Sequence, residues 1–441
     1  MAARASSRFD PMYLLVPLVV FLVHAASRNI TSSDSIWTVH TARSLVLEGN
    51  LDLDEYGAEL ARENYRNTIS LGGHRFNIFP FGTPVLAAPF VLAADGVLSV
   101  LVPAVPGLER VIRGRSAEEI TRMDSIGLHK GVELVTASFF VALAAMFVYV
   151  AARRALGRTA PALVATFAFA FCTSAWSTAS RALWSHTASM LCNAAVLVLM
   201  LPRPDRSVAG FAAGCLLAFG FAIRPTNVIP LVVFAVYMLA AQRKEAPRFL
   251  LGAALTGLLL LAFCRIMYHM WLPVYYSPSR LDRPWYFGIA LAGNLISPNR
   301  GLFIFSPFLI FCLYGIVRGV FGKDGGLNAA VAFIPILHWV VIATFPQWWG
   351  GLAYGPRFFT EMMPFLIFLL IPFMKAISAP SFKWRTPAWV IFSLLVLAGF
   401  FVHFRGASDW AVFEWVDQPR NLDVYPSRAW DWSDMQIFRG L

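Results

Sequence analysis

The chain has 441 residues, 58% of them hydrophobic and only 14% charged, with a mean hydropathy of +0.62. A soluble domain of that size cannot cover so much apolar surface, so lipid must be the solvent for most of it. The net charge of +11 does not point to nucleic acid, because no basic run carries it; the positive residues sit in short connections between apolar segments.

Taken in chain order, the apolar runs predict membrane spans at about 11–27, 131–152, 160–178, 183–201, 208–223, 227–241, 249–268, 301–320, 327–345, 358–375 and 387–404. Arg4 and Arg8 precede the first run and no small-residue cleavage site follows it, so it reads as a signal anchor that stays in place. The connections Arg153-Arg154-Arg158, Arg203-Arg206, Arg243-Lys244-Arg248, Arg318-Lys323 and Lys375-Lys383-Arg385 then fall on one side with Arg4 and Arg8. The positive-inside rule makes that side cytoplasmic.

Residues 81–106 decide the parity. They are apolar enough to span, yet hold four prolines, two glycines and Asp95. A full crossing would put Arg153, Arg154 and Arg158 outside, so this segment is expected to lie along the membrane or to dip in and return. The expected fold is an all-α polytopic membrane protein, a single domain over 1–441 with about eleven transmembrane helices. Its long first outer loop is 28–130, and its C-terminal tail, 405–441, is also outside. The five cysteines (Cys172, Cys192, Cys215, Cys264 and Cys312) lie in or beside apolar runs, which argues against a disulfide framework and against metal ligation.

The first outer loop opens with SSDSIWTVHTARSLVLEGN, residues 32–50. Ile36, Val39, Ala42, Leu45 and Val46 recur at helical spacing, which predicts an amphipathic helix near the interface, stopped by Gly49-Asn50. Asp34 stands at its head. There it can be an N-cap worth about 1 kcal/mol, or a base, and the two roles are compatible. Asp54-Glu55 reads as a solvated loop and as a secondary candidate for a divalent metal, because two adjacent side chains do not converge on an ion without other ligands.

Asp34, Trp37, Thr41-Ala42, Leu45 and Gly49-Asn50 resemble the spacing after the first span of GT-C glycosyltransferases. The family 39-like group, with protein mannosyltransferases and aminoarabinose transferases, is the one most similar in layout. The resemblance implies a GT-C-like bundle with interfacial helices in the first outer loop, and a polyprenyl-phosphate-linked sugar as donor. It implies Asp34 as the catalytic base that deprotonates a lipid, glycan or protein acceptor, with inversion at the sugar. It also implies a multi-pass protein of a bacterial cytoplasmic (inner) membrane serving the cell envelope, N-terminus cytoplasmic and C-terminus periplasmic. GGHRFNIFPFGTPVLAAP, 72–89, resembles the group's second loop helix near the donor phosphate, but no lysine precedes Pro80, so either Arg75 takes that contact or the phosphate is held elsewhere and the stretch is a Gly/Pro turn leading into an apolar segment. An acidic residue often stands where this chain has Ser185-His186, so Asp34 is expected to be the sole strong base.

Later in the chain, ionisable residues recur at the predicted outer ends of spans, where they are costly unless they face a cavity. Arg181 and His186 flank Trp184 in SRALWSHTASM; Arg224 lies in AIRPTN; Arg300 lies in SPNRG. WWGGLAYGPRFF brings Trp348, Trp349, Tyr354 and Arg357 into one turn. Arginine suits phosphate because its planar fork bonds two oxygens at once, so Arg357, Arg300, Arg75, Arg224 and His186 form the candidate donor-phosphate set. Trp348, Trp349 and Tyr354 are the candidate sugar contacts, or else an interfacial aromatic belt. The Trp-rich tail is expected to fold over the outer face as a lid. It and the SPNRG and YGPR elements resemble those of bacterial membrane proteins of unassigned specificity. Two other functions fit the residues: a polyprenyl-pyrophosphate oligosaccharide polymerase or ligase using the arginines and His186, and a lipid-linked-sugar transporter without chemistry.

Overall fold

A computed structural model describes residues 10–62, 67–105, 107, 126–202, 207–277, 285–322 and 326–441. Arg4, Arg8, Arg203, Arg206 and Lys323 lie outside the described residues. We number the helices of ten residues or more. They are α1 (Met12–Ala25), α2 (Thr38–Leu47), α3 (Gly82–Ala104), α4 (Ile126–Leu156), α5 (Thr159–Phe171), α6 (Ser185–Met200) and α7 (Ser207–Ile223). They continue with α8 (Val228–Ala241), α9 (Ala246–Tyr268), α10 (Phe287–Ile296), α11 (Cys312–Phe321), α12 (Leu327–Ile342), α13 (Met363–Ser378) and α14 (Arg385–Ser408). One hairpin, β1 (Thr68–Leu71) with β2 (His74–Asn77), pairs antiparallel in the first long connection.

The protein is a polytopic helical membrane bundle. Six of its described segments are both long and apolar enough to cross a bilayer unaided, and shorter apolar helices complete the set. Every run read as a span is helical here, although 160–178 is broken at Cys172-Thr173 and 301–320 is broken into Leu302–Phe305, the 3-10 turn Pro307–Phe311 and α11. Ser306 and Pro307 interrupt it, since proline supplies no N–H to the preceding turn.

Side-chain contacts orient the bundle. Tyr149, near the end of α4, donates to Asp10 Oδ2 at 2.6 Å just before α1, so the two helices run antiparallel. Following the alternation, Asp34, Arg181, Arg224, Arg300, Arg357 and the tail lie at one end, the Asp34 end. Arg153, Arg154, Arg158, Arg243, Lys244, Arg248, Arg318, Lys375, Lys383 and Arg385 lie at the other.

Of the segment 81–106, the described residues Gly82–Ala104 neither cross to that far end nor turn back on themselves. They form one continuous helix, α3, with Pro89 in its interior and Pro103 near its end. Gly82 packs so closely on the last residues of α7 that an added Cβ would lie 2.5 Å from the Ala222 backbone. Asp95 accepts from Arg43 Nε of α2 at 2.7 Å, and Arg43 also meets His129 at the head of α4. Both points belong to the Asp34 end, so α3 lies across it.

The helix predicted from Asp34 starts later. A turn over 33–36 precedes α2, whose N-cap position is Trp37 with no side-chain cap bond. Asp34 therefore does not cap it. Of the predicted apolar face, Val39 and Ala42 are buried while Val46 is exposed; His40, Thr41 and Ser44 are buried beside them. That face is polar as well as apolar because it meets the Arg43–Asp95–His129 cluster. Burial pushes His40 down to about 3, so its ring is neutral.

Candidate active site

Asp34 is placed by two anchors. Arg181 is fully buried and uses its guanidinium to satisfy carbonyls where α1 ends, donating from Nη1 to Ser27 O at 3.0 Å and to Asn29 O at 3.2 Å. Burial lowers its pKa to about 9, which still leaves it charged at neutral pH. Asn29 Nδ2 in turn donates to Gly406 O and Asp409 O, each at 2.9 Å, joining the exit of the first span to the end of the last. The chain leaving this double clasp carries Asp34 into a narrow cleft of about 40 Å³. Its lining includes Asp34, Ser35, Thr38, Phe79, Pro80, Thr83, Trp184, Ser185, His186, Arg224, Tyr275 and Arg357.

Arg357 Nη1 donates to Asp34 Oδ2 at 2.8 Å, and the guanidinium lies 4.8 Å from the centre of the Trp184 ring. Asp34 keeps 34% of its side chain exposed, so the carboxylate can be reached from the cleft while paired. The arginine is aimed by its backbone. The loop before it turns through Gly350, Gly351 and Gly355, all at positive φ, and at Gly355 an added Cβ would also lie 2.5 Å from the Phe305 ring.

Beneath this pair lies a group that the sequence reading missed. Glu361, one helical turn after Arg357, is fully buried. Its Oε1 is ion-paired with Arg224 Nε at 2.9 Å, and its Oε2 meets His186 Nδ1. Arg224 Nη1 donates to His186 Nε2 at 3.2 Å. An arginine can only donate, so Nε2 carries no proton and Nδ1–H must donate to Glu361. His338 approaches Oε1 at 3.7 Å, and Asn193 Nδ2 donates to the Glu361 carbonyl at 3.0 Å. A second acid does stand against Ser185-His186, therefore, but it arrives from α13's leading turn. Buried, ion-paired with Arg224 and bonded to His186, it fixes both side chains and does not line the cleft as a base. The available signal was a lone carboxylate opening an apolar run, which is costly without a partner.

The other predicted residues fall elsewhere. Arg300 is buried, donating from Nη1 to Gln436 Oε1 at 2.6 Å and lying 5.7 Å from the Trp415 ring centre. It holds the tail and does not line the cleft. Trp348 and Trp349 are buried against Trp415, Leu422 and Trp430 of the tail, with Trp349 Nε1 donating to Asp423 Oδ1 at 2.7 Å. Tyr354 is buried too, its hydroxyl donating to Val402 O at 2.8 Å. These three rings are wedged between loop and tail and face no open space for a sugar. Arg75 sits on β2, its N–H donating to Asp54 Oδ1 at 2.9 Å, and is not part of the cleft lining.

The tail also differs from a lid. Gln436 N–H donates to Asn299 Oδ1 at 2.6 Å, and Arg428 stacks 4.1 Å from the Trp415 ring centre. None of its residues lines the cleft; it braces the Trp348–Arg357 loop from behind.

The predicted metal pair does not act together, since Glu55 turns away to Ser44. Asp54 instead joins Asp52 and His74, whose ligand atoms all lie within 4.8 Å of one another. Asp54 already accepts from the Arg75 N–H, which lowers its pKa, and its hydrogen bond to His74 raises that imidazole's. None of the three lines the cleft. The cleft itself presents one carboxylate against two guanidiniums, a donor set that fits an anion better than a divalent cation.

Together these features define a polytopic helical membrane protein with an acid–arginine cleft at one end of its bundle. Its fold is similar to that of the Archaeoglobus fulgidus oligosaccharyltransferase, solved with a tethered acceptor peptide containing the NVT sequon. The two align with a TM-score of 0.54 at 11% sequence identity, over 97% of this chain and 60% of that one. This chain thus spans less than two thirds of the length of the archaeal protein. No protein-family model matches the sequence, and no curated protein is similar to it.

Proposed function

We propose that this protein is an inverting glycosyltransferase that moves a sugar from a polyprenyl-phosphate donor to an acceptor on the outer face of a bacterial inner membrane. The observation that carries the reading is the Asp34–Arg357 pair at 2.8 Å in a cleft that also holds Arg224 and His186. The similarity in fold to an oligosaccharyltransferase supports it.

Asp34 takes the proton of an acceptor hydroxyl, a poor nucleophile at neutral pH without a base. The acceptor oxygen bonds to the anomeric carbon from the face opposite the phosphate, the carbon–oxygen bond to phosphate breaks, and the polyprenyl phosphate leaves as an anion. That anion requires positive charge more than a proton. Arg357 and Arg224 supply it, with Arg224 held by Glu361. Donor phosphate and Asp34 compete for Arg357, so donor binding loosens the ion pair and readies the base.

The test is Asp34→Asn. The variant should insert and bind polyprenyl phosphate while losing transfer from a polyprenyl-phosphate sugar, and full transfer by it would overturn the proposal. A second reading, action on a polyprenyl pyrophosphate as polymerase or ligase, is favoured by His186, bonded to Arg224, lining the cleft together with Arg357. It predicts that Arg357→Ala is far more damaging than Asp34→Asn.

A further inference from the structure

Glu133 is a buried carboxyl that takes no part in the mechanism proposed for the cleft. It lies about two turns into α4, only 2% exposed, at the same end of the bundle as Asp34. Its Oε1 accepts from the backbone N–H of Leu183 at 2.8 Å. The hydroxyls of Ser32 and Ser35 face the same carboxyl. Both hydroxyls are shielded from solvent, and neither has another partner among the described residues. A carboxyl this deep is costly unless such donors satisfy it, so its contacts fix where it stays.

These contacts join the two walls of the cleft. Ser32 and Ser35 bracket Asp34 on the turn that carries it. Leu183 immediately precedes Trp184, whose ring centre lies 4.8 Å from the Arg357 guanidinium. One carboxyl therefore holds both the segment that bears the base and the segment that backs its arginine. Thr31 N–H donates to Arg181 O at 3.1 Å, so the two segments already run side by side where they meet. Asn67 Nδ2 holds the Ser33 carbonyl at 3.2 Å. Glu133 sets the register beyond that point, on either side of the Asp34 carboxylate.

We propose that Glu133 is a positioning residue that holds Asp34 against Arg357, bracing the turn through Ser32 and Ser35 and the Trp184 wall through Leu183. The proposal rests on the reading of Asp34 as the base, and its geometry can be tested apart from that reading.

The first measurement is steady-state transfer from a polyprenyl-phosphate sugar by the full-length protein, expressed per folded molecule. Ser32→Ala/Ser35→Ala removes two small hydroxyls, keeps the Leu183 bond and guards against misfolding. It should lower kcat about 100-fold, the scale of a misplacement of about 1 Å, without raising the KM for the donor. Glu133→Ala should do the same. Glu133→Gln keeps an oxygen for Leu183 and should recover most of the loss. The second measurement needs no activity. Asp34→Cys puts a thiol beside Arg357, and the pH dependence of its alkylation by iodoacetamide reads that contact. The native cysteines, four buried and one half-buried, supply the blank in the parent protein. A free thiol titrates at about 8.5, and one beside the guanidinium should titrate at roughly 7.5 or below. Adding Ser32→Ala/Ser35→Ala should return the midpoint to about 8.5. A parent that transfers no sugar would refute Asp34 as a base, while the thiol midpoint would still decide the positioning. An unchanged kcat in the serine double variant, a thiol midpoint that it does not move, or a Glu133→Gln protein as impaired as Glu133→Ala would each overturn the proposal.

Discussion

Replacing Glu361 by Gln removes one charge and keeps the shape of the side chain. The carboxylate is fully buried, and Arg224 beside it is 6% exposed, so neither has water as a substitute partner. Neutralising one member of a buried ion pair costs about 3–5 kcal/mol, because the other charge stays behind uncompensated. The Gln amide oxygen can still accept from His186 or Arg224, which places the loss near the lower bound, about 3 kcal/mol. In a large helical protein that is a fall of roughly 5 °C or more in Tm. Arg224→Gln/Glu361→Gln removes both charges together and should recover most of the loss, to within about 1 kcal/mol of the parent. The measurement is thermal unfolding of detergent-solubilised protein, followed by the fluorescence of its 14 tryptophans. An unchanged Tm for Glu361→Gln, or a double variant whose loss is the sum of the singles, would show that the buried network does not bind Arg224 as described.

Arg357 and Asp34 should respond in opposite directions when polyprenyl phosphate binding is measured by thermophoresis. Arg357→Ala loses a charge-assisted contact of about 1.5–3 kcal/mol and should bind roughly 10- to 100-fold more weakly. Asp34→Asn frees the same guanidinium from its counter-ion and should bind several-fold more tightly. Gly82→Ala should destabilise the protein by about 1–3 kcal/mol in the same thermal assay, since the new methyl would stand 2.5 Å from the Ala222 backbone. The exposed pair of Asp54 and His74 gives a pH dependence to the hairpin. Asp54's pKa is lowered from 3.8, so its contribution is present above that value and fades as pH falls through the lowered one. His74's is raised from 6.5, so its contribution is full below 6.5 and fades as pH rises through the raised one. After correction for intrinsic exchange, the amides of β1 and β2 should be best protected between these limits and lose protection above them. Asp54→Asn should abolish that dependence.

The bundle was legible because its signal is bulk. Runs such as 131–152 and 387–404 are apolar throughout, and α4 and α14 contain them. What escaped depended on distant partners. α10 went unread because FGIALAGNLI is only ten residues long, half the length expected of a span. The cap role offered for Asp34 beside that of a base came from its local preference, whereas its actual partner Arg357 lies 323 positions away. Trp348, Trp349 and Tyr354 look the same from sequence whether they face a ligand or a neighbour, and the tail decided the matter. Arg300 was misplaced for the same reason: its partner Gln436 is 136 residues downstream.

The distance between Asp34 and Arg357 also sets a timetable for the cell. Asp34 leaves the ribosome 323 residues ahead of its partner. At about 5–20 residues per second that is a wait of roughly a quarter of a minute to a minute. During synthesis the carboxylate stands without its arginine, and a message cut short before Arg357 yields an inserted but unfinished protein. The cleft therefore becomes complete late, only once the last fifth of the chain carrying Arg357 has been made.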